Sequence, residues 1–217
     1  GPGNPDFERH LACHAVVAIH FFPPNTQQPV SQSAILLFGR CFMVNSHTWN
    51  KDWTKFEIRG VEYTREECDW LDLYKEGIST DATVVQLPKG QMFKDNLSKF
   101  MTKDLPFPQK NTPVTCVNCS NGTLFYSGHI IRAPQTCEII RGLSSSMFIY
   151  QAQTYPGYCG SAVVATVKGR KLILGMHSAG NSGTAGAIFV TQEDLRQVRD
   201  YFAKNSAPPP PEPLSDE

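Results

Sequence analysis

No stretch of this chain is long and apolar enough to cross a bilayer as a helix; the longest candidates, such as Ser33 to Val44, are short and broken by polar residues. An excess of one charge is missing too. Twenty basic and twenty acidic residues cancel, so affinity for nucleic acid has to come from a local patch and not from the overall field. Dense cysteine spacing is also lacking. Seven cysteines, an odd number, are spread over 217 residues with no leader pattern ahead of them. That excludes a disulfide-stapled secreted scaffold and implies a reducing compartment. Cys116-Val117-Asn118-Cys119 has the spacing of half a zinc site, but no second pair follows, and His129 and Cys137 sit in strand-like and turn-like contexts of their own. Neither a metal nor another cofactor is expected.

Sustained helical periodicity is scarce. The chain is filled instead by short apolar runs bounded by Gly, Pro, Asn, Ser or Asp: Ala15 to Phe22, Ala34 to Val44, Phe56 to Tyr63, Ala82 to Leu87, Pro113 to Val117, Leu124 to Ile131, Met147 to Gln151, Ser161 to Val167, Lys171 to His177 and Gly186 to Val190. These read as strands. Helix signals are confined to the ends. Asn4 or Asp6 caps a short opening helix through about Cys13, and Thr191 begins Thr-Gln-Glu-Asp, a capping-box variant, before Leu195, Val198 and Phe202 line one face. Pro106 and Pro108 break the segment from Lys99 through Asn111, which reads as a connection between two β units. Beyond Lys204 the run Pro208-Pro209-Pro210-Pro211 reads as an extended tail. The length suffices for one large domain or two of about 100 residues.

The segment Tyr155-Pro156-Gly157-Tyr158-Cys159-Gly160-Ser161 carries the chemistry. Glycines on either side of Tyr158-Cys159 allow a tight turn that exposes a thiol and aims backbone N–H groups at whatever the sulfur attacks. Most free cysteines are buried and inert, so the turn alone does not make a nucleophile. Upstream, Phe42-Met43-Val44-Asn45-Ser46-His47-Thr48-Trp49 runs an apolar strand into a polar turn carrying His47. A thiol and a distant imidazole are the minimum for covalent acyl transfer. His177, in Gly175-Met176-His177-Ser178-Ala179-Gly180, lies eighteen residues after Cys159, against roughly 130 to 150 in papain-like chains. It is therefore a core or binding residue and not the base. For a third, acidic member, spacing leaves Asp69, Asp72 and Asp81 open, and an aspartate before a strand commonly bonds its own backbone.

Trp53-Thr54 with Ile58-Arg59-Gly60, Phe93-Lys94-Asp95-Asn96 with Ser98-Lys99-Phe100, and the motifs around Cys159 and His177 occur in this order. From about Asp6 to Phe202 the chain thereby resembles the picornavirus 3C cysteine proteases, above all the cardiovirus and senecavirus branch. The resemblance implies an all-β, chymotrypsin-like fold of two six-stranded antiparallel β-barrels with short N- and C-terminal helices. Residues 1–98 would form the opening helix and first barrel, 99–112 the connection, 113–190 the second barrel, 191–203 the C-terminal helix and 204–217 a flexible Pro-rich tail. It further implies Cys159 as nucleophile and His47 as general base, and it selects Asp81 as the third member. Backbone N–H groups of Gly157 and Cys159, with Tyr158, would form the oxyanion hole; Pro156 has no N–H to give. His177 would line an S1 pocket and donate to the side-chain carbonyl of a P1 glutamine, with Thr154 as a second contact and Tyr150 fixing the imidazole tautomer. The segment from about Gln135 to Ser146 reads as a glycine- and serine-containing loop where relatives fold a β-ribbon over the substrate.

The expected activity is that of a viral cysteine endopeptidase cutting Gln-Gly bonds in a viral polyprotein and in some host proteins, in the host cell cytoplasm, as a monomer or weak dimer with no membrane partner. Phe93, Lys94 and Asp95 fall where the family carries a motif for viral RNA. Lys89, Lys94, Lys99 and Lys103 would surround it with phosphate contacts that weaken steeply with salt. On its residues alone the same segment is a solvated surface turn. The competing function is a non-catalytic module that binds RNA or replication partners on the same scaffold, and the intact Cys159 and His47 favour the enzyme.

Overall fold

A computed structural model of the protein describes residues 6–206 and 213–214; Asn4 and the run Pro208 to Pro211 lie outside them. Helix α1 (Asp6–His14) is followed by β1 (Val16–Phe22), β2 (Val30–Phe38), β3 (Cys41–Val44), the one-turn helix α2 (Ser46–Trp49), β4 (Lys55–Ile58), β5 (Val61–Tyr63), β6 (Asp69–Lys75) and β7 (Ile78–Gln86). Then come β8 (Pro113–Cys119), β9 (Thr123–Ile139), β10 (Gly142–Gln151), β11 (Ala162–Val167), β12 (Arg170–Asn181), β13 (Thr184–Phe189) and helix α3 (Gln192–Ser206). Helix α3 starts on the reciprocal cap that the sequence predicts: Thr191 N donates to Asp194 Oδ2 at 2.9 Å, and Asp194 N donates to Thr191 Oγ1 at 3.2 Å.

The first sheet is antiparallel with the order β5-β4-β1-β2-β3-β7-β6. Its edge strands β5 and β6 are consecutive in sequence, joined only by residues 64–68. Laid flat, seven strands would hold those edges about 28 Å apart, whereas a link of this length spans at most about 20 Å. The sheet therefore curls almost onto itself. It differs from a six-stranded barrel in strand number, and two expected strands split in two. Ala34 to Val44 bends at Gly39-Arg40, and Phe56 to Tyr63 bends at Arg59-Gly60, where φ values of 53° and 78° give the two-residue turn whose twist suits a hairpin. Strand β6 escaped the apolar pattern because it is an edge; only Leu73 in it is buried.

The second half is a closed antiparallel barrel, β10-β13-β12-β11-β8-β9. Strands β9 and β10 run on beyond it as a hairpin that turns at Ile140-Arg141. The expected loop over Gln135 to Ser146 is thus strand; its residues are mostly exposed, so no buried face imprints an alternation. The connecting segment lies along this barrel, with Phe100 bridged to Ile173 and Met101 to Thr191. No described helix is long and apolar enough to cross a membrane.

Each half has its own apolar core, and a third cluster joins them. In it Ile35, Met43 and Val84 of the sheet pack with Val117, Met147 and Ile188 of the barrel, Leu11 of α1, and Leu195 and Phe202 of α3. The core of the first sheet is aromatic and anchors α2. Trp49 lies 5.0 Å from Trp53 and 5.5 Å from Phe56 between ring centroids, and Trp53 Nε1 donates to Thr48 O and Trp49 O. Phe56 is at the centre, with Phe21, Phe42, Trp49, Trp53 and Tyr63 around it. Phe56→Ala is expected to destabilise the protein by about 3–5 kcal/mol, seen as a lower urea midpoint with an unchanged slope. An unmoved midpoint would show that this cluster does not hold the first sheet together.

Candidate active site

Cys159 follows a single turn of 3-10 helix, Pro156–Tyr158, in which Tyr158 N donates to Tyr155 O at 2.9 Å. The next residue, Gly160, has φ +83°, and a Cβ there would stand 1.8 Å from Ser33 O. Only glycine fits. That close approach seats the loop on β2: Ser33 N donates to Cys159 O and Gly160 N to His177 O, each at 3.1 Å. From the other side the buried Asn118 places Nδ2 3.1 Å from Gly157 O, 3.1 Å from Ser33 Oγ and 2.8 Å from Ser161 Oγ.

His47 reaches this loop from α2, at the end of β3. Its Nε2 lies 3.8 Å from Cys159 Sγ, its Nδ1 lies 2.5 Å from Asp81 Oδ2, and its backbone N donates to Asp81 Oδ1 at 2.9 Å. Asp81 is buried on β7. Its Oδ2 also accepts from Ser178 Oγ at 2.5 Å, Asn45 Nδ2 at 3.3 Å and Arg141 Nη2 at 3.3 Å. Asn45 Nδ2 further donates to His177 O at 3.0 Å, and Asn45 Oδ1 accepts from Gln32 Nε2 at 3.3 Å. Gln32 Oε1 in turn accepts from Thr48 Oγ1 at 2.7 Å. Asp69 and Asp72 lie instead on the edge strand β6, where Asp72 Oδ1 accepts from Thr83 Oγ1 at 2.6 Å.

Beside the thiol, His177 is 2% exposed on β12. Its Nδ1 is 2.7 Å from the hydroxyl of Tyr150 on β10. Thr154 joins it across Gly180: a Cβ built there would stand 2.5 Å from Thr154 Oγ1 and 3.8 Å from His177 Cε1. A glycine thus keeps space open where a hydroxyl and an imidazole converge.

Burial sets the charges of these groups. It opposes ionisation of Asp81, but hydrogen bonds from His47 and Ser178 and the His47 charge outweigh it and hold the carboxyl below its usual value. Burial and then the Asp81 charge push the Cys159 thiol up to about 11, with Arg141 and Lys51 pulling the other way. The resting thiol is therefore neutral. Burial, aided by the His47 charge, lowers His177 to about 4. Its ring stays neutral, with one donor and one acceptor nitrogen.

Of the residues expected in the site, His47, Asp81 and Cys159 lie together, and Tyr150, Thr154 and His177 lie together beside them. Tyr158 contributes differently, because its amide is bonded within the turn. Phe93, Lys94 and Asp95 are elsewhere. Phe93 is 8% exposed and belongs to the aromatic core, so of the expected motif the ring is turned inward. Lys94 is exposed, while Asp95 Oδ1 accepts from Leu97 N at 2.9 Å. Sequence reasoning missed Gln32, Asn45, Ser178 and Arg141. Asn45 and Ser178 flank the marked histidines and were findable by adjacency; Gln32 and Arg141 reach the site only through the fold.

The chain is similar to known proteins over most of its length. The model of the 3C cysteine protease (picornain 3C) family matches residues 6–182. The genome polyprotein of Theiler's murine encephalomyelitis virus (strain BeAn 8386) is 37% identical over 194 residues, covering 88% of this chain and 8% of that polyprotein. The genome polyprotein of encephalomyocarditis virus is 36% identical over 210 residues, covering 95% and 9%. The chain thus spans less than a tenth of the polyproteins it matches. In fold it is similar to HRV-C 3C protein with rupintrivir, with a TM-score of 0.66 at 17% identity over 87% of this chain and 98% of that one. It is likewise similar to catalytically active tobacco etch virus protease complexed with product, with a TM-score of 0.65 at 16% identity over 94% and 82%.

An imidazole that binds a proton near 6.5 when unfolded and near 4 when folded makes unfolding take up a proton between those values. The stability this contributes is complete above the unfolded value and is lost as pH falls toward the folded one. Unfolding free energy should fall with a slope approaching about 1.4 kcal/mol per pH unit in that window, and His177→Gln should remove this slope. Urea titrations with the same slope in both proteins would reject the buried neutral ring.

Proposed function

The chain belongs to the 3C cysteine protease family, and on that premise we propose that Cys159, His47 and Asp81 cleave Gln-Gly bonds in a viral polyprotein. The observation that carries the proposal is the Cys159 Sγ to His47 Nε2 distance of 3.8 Å, with the other ring nitrogen on a carboxylate. Sulfur attacks the scissile carbonyl carbon while its proton moves to His47 Nε2. The carbonyl becomes an oxyanion that faces the amides of Gly157 and Cys159; the Tyr158 amide is bonded to Tyr155 O. Collapse breaks the C–N bond, His47 hands its proton to the departing amine, and a thioester remains. Water then attacks the thioester, giving a proton to His47, and sulfur leaves and recovers it. Asp81 stabilises the imidazolium that forms in each half.

Specificity follows from neutrality. With Tyr150 donating to Nδ1 of His177, the Nε2 proton is left to donate to a P1 glutamine carbonyl, and Thr154 supplies the second contact. An apolar P1 side chain would leave these buried polar groups unpaired. Host proteins with the same bond are further substrates, and the host cytoplasm, being reducing, keeps the nucleophile a thiol.

RNA binding is a second activity of the proposal, on a face formed by Lys94 and Lys99. These two lysines adjoin His10 of α1: after burial, the charge of Lys99, and to a lesser degree those of His14 and Lys94, hold its imidazole below the usual value.

A Gln-Gly peptide should be cut by the protein and spared after iodoacetamide treatment. Cys159→Ala and His47→Ala should abolish turnover, and Asp81→Asn should reduce it less, because a thiol needs the orienting acid less than a hydroxyl does. Equal loss in all three would contradict that ranking, and cleavage surviving alkylation would refute the mechanism. For the second activity, Lys94→Glu should weaken binding of a viral-type RNA stem at low salt, with a shallower salt slope. Unchanged affinity would place the RNA elsewhere.

A further inference from the structure

Arg141 contacts the site but has no task in the chemistry above. It sits at the apex of the β9–β10 hairpin, in the two-residue turn between Ile139 and Gly142. From there its guanidinium lies over the catalytic carboxylate: Nη2 is 3.3 Å from Asp81 Oδ2 and 3.4 Å from Ser178 O. That same carbonyl is 3.7 Å from Cys159 Sγ. One side chain on a projecting hairpin thereby touches the first sheet through Asp81 and the barrel through Ser178.

This contact can be made and broken without unpacking a core. The Arg141 side chain is 39% exposed, and its neighbours Ile140 and Leu143 are among the exposed large apolar residues. Between the hairpin and α2 a cavity of about 170 Å³ is lined by His47, Asp81, Ile139, Arg141 and Ser144. The buried Ser144 hydroxyl in its wall has no partner among the described residues.

The chemistry defines what a cation here does. The carboxylate of Asp81 has to be charged once His47 holds a proton, yet that charge opposes ionisation of the thiol on the far side of the same ring. A guanidinium on Oδ2 offsets the opposition and leaves the carboxylate in place. We infer that Arg141 is a positioning residue for the proposed peptidase reaction: seated on Asp81, it shields the thiol from the carboxylate and ties closure of the hairpin to activation of Cys159. The groups whose charges act on Cys159 are Asp81, Arg141, Lys51, the buried Cys116 and Tyr150, and His47 Nε2 faces its sulfur at 3.8 Å. Among them Arg141 is the one carried by a projecting hairpin.

The inference rests on the reading of Cys159 and His47 as the reactive pair, and the test separates the two. Arg141→Gln and Arg141→Lys are made in the full chain, each also in an Asp81→Asn background. Two measurements are taken: kcat and KM on a Gln-Gly peptide, and the pH dependence of Cys159 alkylation by iodoacetamide. Arg141→Gln should lower kcat about three- to fivefold, the size of a partly exposed ion pair, and move the alkylation profile to higher pH. Arg141→Lys should restore much of both, and in the Asp81→Asn background, where the guanidinium loses its seat, Arg141→Gln should change both by clearly less. An unmoved alkylation profile, the same loss in both backgrounds, or a lysine variant as impaired as the glutamine variant would overturn the inference. If the unsubstituted protein alkylates normally but leaves the peptide intact, the peptidase reading fails instead, and the alkylation profiles still decide the arginine.

Discussion

One imidazole has to meet two groups held by separate sheets. His47 and Asp81 belong to the curled first sheet, at the end of β3 and on β7, while Cys159 belongs to the barrel. Hydrogen-bond geometry tolerates only tenths of an ångström, so the seam between the halves has to be fixed. Groups with no chemistry of their own fix it. Ser33 N holds Cys159 O, Asn118 reaches both Ser33 Oγ and Gly157 O, and Asn45 Nδ2 donates at once to Asp81 and to the carbonyl of His177. Because a buried polar group left unpaired is costly, the halves cannot slide without breaking several of these bonds together. The shared apolar cluster beneath, from Leu11 to Phe202, makes the same displacement costly a second time.

Burial pushes each of these neighbouring groups toward its neutral form, and the hydrogen bonds around each decide which one resists. The Cys159 thiol and the His177 imidazole become neutral, while Asp81 stays charged because donors surround it. On the proposed reading, a neutral His177 presents an N–H to an amide carbonyl without attracting a carboxylate as strongly as an imidazolium would. On the proposed reading, a neutral Cys159 means that charge separation is created only when substrate is present, inside a site that substrate itself helps to close.

Cys159 and the two histidines stood out because their signals are local: a glycine-framed cysteine, and a histidine at the end of an apolar strand. Asp81 did not. Asp69, Asp72 and Asp81 differ only in which strand face and which sheet edge they occupy, and an edge such as β6 has too little buried surface to write its pairing into an apolar pattern. The same blindness hid the β9–β10 hairpin, whose residues are mostly exposed, and it left Arg141 inside a nominal loop. Phe93 erred the other way: a motif suggested a surface role, but the ring fills the first core. Arg59-Gly60 and Gly39-Arg40 were written in the sequence as turn signals and were overlooked inside longer apolar runs.

A carboxylate close to a buried thiol presents a conflict. On the proposed reading sulfur gains negative charge as its proton leaves for His47, and the Asp81 charge opposes that step. Five donors converge on Asp81: both nitrogens of His47 that face it, Asn45, Ser178 and Arg141. Three of them are neutral groups, which spread the negative charge over hydrogen bonds without cancelling it, and one is a permanent cation. The arrangement keeps enough charge to orient and stabilise an imidazolium while limiting how much of it the sulfur feels. That balance explains how a buried acid and a buried thiol can share one histidine.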